Sequence, residues 1–426
     1  MKIAIAGYGL EGESSYRYWS NNSDNEVVIV DENQPKCGLP EGAKTIIGSD
    51  VLSHLQDFDL VIRTAGLAPR KIKTNGKIWS GTNEFFDKCP APIIGVTGSK
   101  GKSTTVSLIA SILRQAGKKV WLIGNIGKPA LDELANIQKD DYVVNELSSF
   151  QLWDLEKSPH IAVVLFIEQE HLDVHANIDE YVSAKANITR HQTSDDLLIF
   201  NQSNTHACRI SELSAAKLIG YTDVKSAHVE NDSFYYGEQK ICSVNALQIM
   251  GKHHLDNACA AIDAIWQITS DISVIERGLS SFAGLPHRLK FVSEVNGVKY
   301  YDDSMATTPS SAIAALKTFN GSEVIILGGS SKGSDYSDLG LELTKHDVNA
   351  ILIGDEAEKI AMSCKNAGFN NFEIMQSPTA TKIVERAKEL SKPGGVVLLS
   401  PASASFGLFK NYADRGDQFI AAVKAL

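Results

Sequence analysis

The chain of 426 residues carries 41 Lys and Arg against 51 Asp and Glu, a formal net charge of −10, with 43% hydrophobic and 22% charged residues. This is ordinary globular usage, which excludes disorder on a large scale, and the acidic balance excludes a polyanion binder, which needs a clustered basic surface. The longest apolar runs, such as residues 161–167, fall far short of the roughly 20 residues of a membrane helix. Six cysteines without a CxxC pair, and an N-terminus that enters a strand without a long apolar signal stretch, point to a reducing, cytoplasmic setting. A monomer with no nucleic-acid and no membrane partner is expected.

Short apolar runs alternate with helical patterns almost from end to end, the signature of α/β domains with parallel sheets. The first strands are predicted at 2–6, 27–30 and 60–63. Cys89-Pro90-Ala91-Pro92 then interrupts any regular element, since proline removes a donor and restricts its predecessor. A second domain opens with a strand at 93–97, followed by strands at 142–144 and 161–166. Between 221 and 250 the pattern shortens to alternating pieces with turn residues, a small β extension. Gly284-Leu285-Pro286 marks the next boundary, and the α/β rhythm resumes with strands at 324–327, 350–353 and 396–399. The expected fold class is α/β with three domains: a Rossmann-like N-terminal domain (1–90), a P-loop central ATPase domain with the small β extension (91–285), and a Rossmann-like C-terminal domain (286–426).

Gly98-Ser99-Lys100-Gly101-Lys102-Ser103-Thr104 follows the strand at 93–97 and precedes an amphipathic helix predicted from Thr104 to Gln115. Such a turn closes backbone N–H groups around phosphate oxygens at the positive end of a helix. Lys102 is placed to reach the β- and γ-phosphates of ATP, and the hydroxyl of Ser103 or Thr104 to ligate Mg²⁺. Val96 stands where the full P-loop pattern needs glycine, so this is a variant, TGxxGKST. The bland alternative is a glycine-rich turn with an incidental lysine. Gly7-Tyr8-Gly9-Leu10-Glu11-Gly12 also follows a strand, with Asp31 near the end of the next one. Alone this reads as dinucleotide binding. The 90 residues available are too few for two mononucleotide halves, so a smaller diphosphate such as a nucleotide sugar fits better than NAD, with a tight turn that holds no ligand as the other alternative.

Several motifs occur in order: Thr97 to Thr104, Gly124-Asn125-Ile126-Gly127, Glu146-Leu147-Ser148-Ser149-Phe150-Gln151, Glu170-His171-Leu172-Asp173 and Ala184-Lys185. They are followed by Leu285-Pro286-His287-Arg288, Tyr301-Asp302-Asp303-Ser304, Leu327-Gly328-Gly329 with Lys332, and Ser400 to Ser405 with Phe409-Lys410-Asn411-Tyr412 and Arg415-Gly416. Together these resemble the Mur ligases from about residue 3 to 420, and within that family the glutamate-adding branch. The resemblance implies ATP-dependent amide formation between UDP-N-acetylmuramoyl-L-alanine and glutamate, with D-glutamate expected, in peptidoglycan precursor synthesis. It implies catalytic roles for Lys102, Glu146, His171, Lys185 and Lys332. Nucleotide contacts would come from Gly98 to Thr105, Asn257, Arg288 and Asp303. Mg²⁺ would be held by Ser103, Thr104, Glu146, His171 and Lys185, the last as a carbamate formed with CO₂. Read from its neighbours alone, Lys185 is a solvated helix lysine. The sugar nucleotide and the amino acid would meet Gly9, Leu10, Glu11, Asp31, Thr64, Gly66, Asn125, Ser148, Gln151, His287, Thr307, Lys332, Ser405, Phe406 and Tyr412.

The chain departs from the family's pattern in four places. Met305 stands where the D-glutamate ligases usually carry a lysine that helps bind glutamate, which leaves L-glutamate or another amino acid as an alternative acceptor. His254 replaces a usual asparagine, Gly407 stands where an acid is common, and Phe166 where asparagine often precedes the Glu/His segment. A sister ligase such as folylpolyglutamate synthase, and a P-loop binding protein without turnover, are the remaining alternatives. A switch GTPase would need an N-K-x-D loop, which the sequence lacks.

Overall fold

The computed structural model describes residues 1–35, 38–125, 128–171, 174–249, 251, 253–319, 321–331 and 333–426. These form two compact units, Met1–Ala283 and Gly284–Leu426. Gly284 adopts φ +89.

The first unit holds two parallel sheets. One has five strands in the order Lys44–Ile47, Glu26–Asp31, Lys2–Ala6, Leu60–Arg63, Lys77–Ser80. The other has six, in the order Lys217–Tyr221, Leu197–Asn201, Ile161–Val164, Ile93–Thr97, Tyr142–Glu146, Val120–Gly124. Its central strand Ile93–Thr97 is buried on both faces, which is why it reads as an unbroken apolar run. The two sheets share one core: Ile5 and Ile62 of the first lie in the same cluster as Val143 and Leu198 of the second, together with Phe85 and Leu152 from the helices Gly81–Lys88 and Ser149–Leu152. The predicted β extension is a three-stranded antiparallel sheet, Ala227–Glu230, Ser233–Tyr236 and Gln239–Ser243. Its first turn is made by Asn231 (φ +45) and Asp232 (φ +53), residue types that tolerate the left-handed region.

The helix after the glycine-rich loop, Lys102–Gln115, buries Val106, Leu108, Ile109, Ile112 and Leu113. It begins two residues before the predicted Thr104. Gly278 of the helix Ile272–Ser281 lets that neighbour approach closely, since a Cβ there would lie 2.5 Å from Ile112 Cα. Ser111 Oγ donates to Gly278 O at 2.7 Å across the same contact. The helix His253–Trp266, buried along most of its length, completes this layer and sets Asn257 against the loop.

The second unit is one six-stranded sheet in the order Lys290–Val295, Val298–Asp302, Val396–Leu399, Glu323–Gly328, Val348–Ile353, Phe372–Met375. Only the first pair is antiparallel, joined through Asn296 and Gly297, both at positive φ. The cores on its two faces are separate, Ile325 and Leu327 on one and Val324 and Ile326 on the other. No helix among the described residues is long and apolar enough to cross a membrane.

Candidate active site

The glycine-rich loop takes the shape a phosphate cradle needs. Gly98 (φ +155) and Gly101 (φ +90) occupy backbone conformations that disfavour other residues. A Cβ on Gly98 would lie 2.7 Å from Leu165 Cβ, and one on Gly101 would lie 2.3 Å from Asn257 Oδ1. Asn257, from a helix more than 150 residues away in sequence, therefore abuts the loop. No side chain caps the helix Lys102–Gln115, so its first N–H groups and dipole end face the loop. Lys102 Nζ donates to Gly98 O at 2.8 Å and Ser99 O at 2.9 Å. Ser99 N donates to Phe166 O at 2.9 Å, and Ser99 Oγ shares a hydrogen bond with Tyr181 OH, also 2.9 Å. Lys100 pairs with Glu168.

Lys185 is not a solvated lysine. On the helix Ile178–Ala186 it is 1% exposed, with Nζ donating to Gly98 O at 2.9 Å and Thr97 Oγ1 at 3.3 Å and lying 4.6 Å from the centre of the Tyr181 ring. Burial, reinforced by Lys102, holds its ammonium well below the usual lysine range. Glu146 ends the strand Tyr142–Glu146, directly beside Val96 in the neighbouring strand. Its Oε1 accepts from Asn125 Nδ2 at 3.0 Å, while its buried Oε2 accepts no hydrogen bond among the described residues. His171 sits at φ +56, its ring 4.9 Å from that of Phe150 and 6.3 Å from that of Tyr181.

At the first sheet, Gly7 (φ +87) has Thr64 Oγ1 2.2 Å from where a Cβ would stand, and Gly12 has Gly7 O at 2.3 Å. The equivalent position on Gly9 meets nothing within 4 Å, and the helix Leu10–Ser20 that follows has no side-chain cap. The first and third glycines thus serve packing, and the second leaves room over a helix N-terminus. Asp31 accepts from Tyr8 N at 2.8 Å and Asn33 N at 2.9 Å, so its carboxylate staples the turn. Ser148 and Gln151 form a capping box on the short helix Ser149–Leu152, and Gln151 Nε2 donates to Glu11 Oε1 at 2.8 Å.

In the second unit, the predicted residues gather at the carboxyl end of the parallel strands. His287 (φ +60) shares a 2.7 Å hydrogen bond with Asp302. Asp303 accepts from Leu289 N at 3.1 Å and Ser400 Oγ at 2.7 Å, and burial pushes its carboxyl up to about 7. Arg288 is exposed. The loop after Val396–Leu399 carries buried Ala402 at φ +58 and buried Ser405, with Phe406 and Tyr412 exposed. Arg415 is buried, its guanidinium donating to Ser304 O at 2.8 Å, Ser304 Oγ at 2.9 Å, and Ser403 O and Ala404 O at 3.2 Å. Burial lowers it to about 10. Lys332 lies outside the described residues.

Comparison with known proteins places these features in one family. The model of the Mur ligase middle domain matches residues 96–265, and that of the Mur ligase glutamate ligase domain matches residues 287–403. The UDP-N-acetylmuramoylalanine–D-glutamate ligase of Clostridium tetani is 34% identical over 450 aligned positions, covering 100% of this chain and 97% of that protein. The chain belongs to the Mur ligase family. The enzyme of the same name from Streptococcus thermophilus is 33% identical over 442 positions, covering 100% and 97%. Among solved structures, the MurF ligase of Thermotoga maritima in complex with ADP superposes with a TM-score of 0.61 at 18% identity, covering 99% of this chain and 94% of that one. A MurF of Acinetobacter baumannii gives 0.65 at 18% identity, covering 93% and 85%. At these identities the structural likeness speaks for the fold.

Three of this Mur ligase's departures have local explanations. Phe166 serves the loop through its backbone carbonyl. His254 keeps a ring nitrogen 3.4 Å from Asn257 Nδ2. Gly407 stands at φ +95 with Asp355 Oδ2 3.9 Å from its Cβ position, so an acid there would be strained and face another acid. Met305 donates its N–H to His287 O at 2.9 Å and its carbonyl accepts from Thr307 N at 2.9 Å.

His175 was not predicted, although HxxxH spacing after Glu170 signals it. It is fully buried, stacked on Phe150 at 5.3 Å and 5°, and hydrogen-bonded to Ser149 Oγ at 3.0 Å. Burial lowers it to about 4, so it is a neutral prop behind Ser149.

A divalent cation fits the chemistry of these residues in one way. No cluster of three or more His, Cys, Asp or Glu occurs among the described residues, but Glu146 presents a buried carboxylate oxygen without a donor. Mg²⁺ is commonly held by one or two carboxylates together with substrate phosphates and water, and this donor set suits that mode.

Proposed function

We propose that this Mur ligase joins glutamate, D-glutamate on the pattern of its relatives, to the alanine carboxylate of UDP-N-acetylmuramoyl-L-alanine, converting ATP to ADP and phosphate and so supplying peptidoglycan precursors. The reading takes the chain as three domains. Residues 1–90 would hold the uridine diphosphate sugar, 91–285 ATP, and 286–426 the amino acid. The observation that carries it is the convergence of the glycine-rich loop, Glu146 and buried Lys185 at neighbouring strand ends of one sheet, in a chain alike over its full length to D-glutamate ligases.

Forming an amide from a carboxylate requires a better leaving group than oxide. The alanine carboxylate takes the γ-phosphoryl group, and the amine of glutamate then displaces phosphate, losing a proton. Phosphoryl transfer is mostly positioning and charge neutralisation. Lys102 would leave the loop carbonyls it now bonds and meet the transferring phosphoryl group, while the N–H groups of Gly98 to Ser103 cradle the remaining phosphates. Mg²⁺ would supply further positive charge there, held by Glu146 with Ser103 or Thr104, and by His171. Asn257, beside Gly101, would bound the nucleotide, and Arg288 and Asp303 would be further nucleotide contacts. Lys185 would act as a carbamate: its amine adds to CO₂ with loss of a proton, turning a cation that cannot ligate a metal into a carboxylate that can. Its burial and lowered basicity support this, since only the neutral amine reacts. Lys332, Thr307, Ser405 and Phe406 would bind glutamate.

ADP release measured with UDP-N-acetylmuramoyl-L-alanine against a panel of D- and L-amino acids tests the reading. Acceleration by D-glutamate above all others is expected. No acceleration by any amino acid would refute it, and a preference for L-glutamate would point back to Met305.

A further inference from the structure

We propose that Glu11 is a positioning residue that fastens three substrate-binding segments to one another, rather than a direct contact to the diphosphate. The proposal rests on the function proposed above. Glu11 lies in the first turn of the helix Leu10–Ser20, where the open space over Gly9 and the uncapped N–H groups suit an anion. A carboxylate aimed at that anion would oppose it. Glu11 instead turns both oxygens away: Oε2 accepts from Ala65 N at 3.1 Å, and Oε1 from Gln151 Nε2 at 2.8 Å. Ala65 stands between Thr64 and Gly66, in the loop after the strand Leu60–Arg63. Gln151 Oε1 in turn accepts from Ser148 N at 3.0 Å and Ser148 Oγ at 3.1 Å, just beyond Glu146. One chain of hydrogen bonds thus runs from the loop at 64–66, through the turn at 7–12, to the strand end that carries Glu146.

The donor and acceptor pattern makes this chain testable. With Glu11→Gln, the side-chain amide faces two donors, Ala65 N–H and the Gln151 NH₂ group. Whichever way either amide flips, one N–H meets another. Gln151→Glu alone sets two carboxylates against each other. The exchange Glu11→Gln with Gln151→Glu restores every bond: the amide now at position 11 accepts from Ala65 N and donates to the carboxylate now at position 151, which still accepts from Ser148. A residue that only touched substrate would show no such reciprocity.

The experiment is steady-state ADP release by the full chain, with wild type, both single variants and the exchange, alongside thermal melting. Each single variant is expected to raise the KM for UDP-N-acetylmuramoyl-L-alanine by about tenfold or more, as for one unsatisfied buried donor, with the KM for ATP changed less than about twofold. The exchange is expected to bring the sugar-nucleotide KM back to within about threefold of wild type. Single variants with an unchanged KM, or an exchange that does not fold or is no better than the worse single variant, overturn the proposal. If the single variants do not fold, the exchange alone decides: folded with a near wild-type KM it supports the proposal, and folded with a raised KM it refutes it. Wild type without amino-acid-dependent turnover would instead be a failure of the proposed function.

Discussion

Removing the guanidinium of Arg63 should loosen the first unit and disturb the loop at 64–66, which is proposed to meet the sugar nucleotide. Arg63 ends the strand Leu60–Arg63 with a side chain that is 0% exposed. Its Nε and Nη2 form a bidentate pair with Asp154, both bonds 2.7 Å. Nη2 also donates to Phe150 O at 2.9 Å, and Nη1 to Leu67 O at 2.8 Å and Thr64 O at 3.2 Å. Arg63→Met keeps the length and removes every donor. Breaking a buried pair costs about 3–5 kcal/mol because the partner charge is stranded. Asp154 retains 22% exposure, so water recovers part of its solvation and the carboxylate contributes toward the lower end. The carbonyls left at Thr64, Leu67 and Phe150 push the other way, and about 3–5 kcal/mol stands as the expected loss. All five tryptophans (Trp19, Trp79, Trp121, Trp153 and Trp266) lie before residue 283, so tryptophan fluorescence in a urea titration reads this unit alone. The double variant with Asp154→Leu should recover only part of the loss, since the carbonyls remain unserved. A midpoint shifted by less than about 0.5 kcal/mol at unchanged slope would show that the network holds nothing together.

Lys102→Ala should lower ADP release about 10²- to 10³-fold, the range for loss of one preorganised donor at developing charge, and an unchanged rate would remove the P-loop assignment. Gly9→Ala should leave stability within about 0.5 kcal/mol while raising the KM for the sugar nucleotide. Gly12→Ala, whose Cβ would overlap Gly7 O, should destabilise by about 1–3 kcal/mol; equal stability losses would contradict the packing argument. Glu323, buried at the start of the strand Glu323–Gly328 without a hydrogen bond to its carboxyl among the described residues, is raised by burial from 4.5 to about 7. The folded state therefore holds its proton more tightly. The second unit's stability should be fullest below about pH 4.5 and fall as pH rises toward 7, by about 2–3 kcal/mol. Urea titrations of wild type and Glu323→Gln at pH 5 and 8 check this, the variant losing less, and parallel losses would contradict it.

Much of the fold was legible because its signals are local. Buried parallel strands such as Ile93–Thr97 read as apolar runs, and the loop Gly98–Lys102 combines a strand, glycines and a helix within a dozen residues. The strands that escaped prediction include the edges: Lys44–Ile47 is exposed along its whole length and Lys217–Tyr221 over much of it, so neither carries a continuous apolar signature. The hairpin Lys290–Asp302 did announce itself through Asn296-Gly297, a turn signal that the surrounding α/β rhythm obscured.

The site divides in the same way. Residue type and spacing alone determined the glycine-rich loop at Gly98–Lys102, the turn at Gly7–Gly12 and the acid ending a strand, because backbone geometry imposes those patterns over a few residues. What Lys185, Arg63 and Glu11 do was decided by tertiary structure. Lys185 has the neighbours of a surface helix, and only packing against Gly98, nearly 90 residues earlier, strips its water and lowers its basicity. Arg63 and Glu11 acquire their partners Asp154 and Gln151 from another sheet's connections. A charged side chain's chemistry depends on which groups replace water around it, and those groups are chosen by how the sheets pack, not by the sequence on either side.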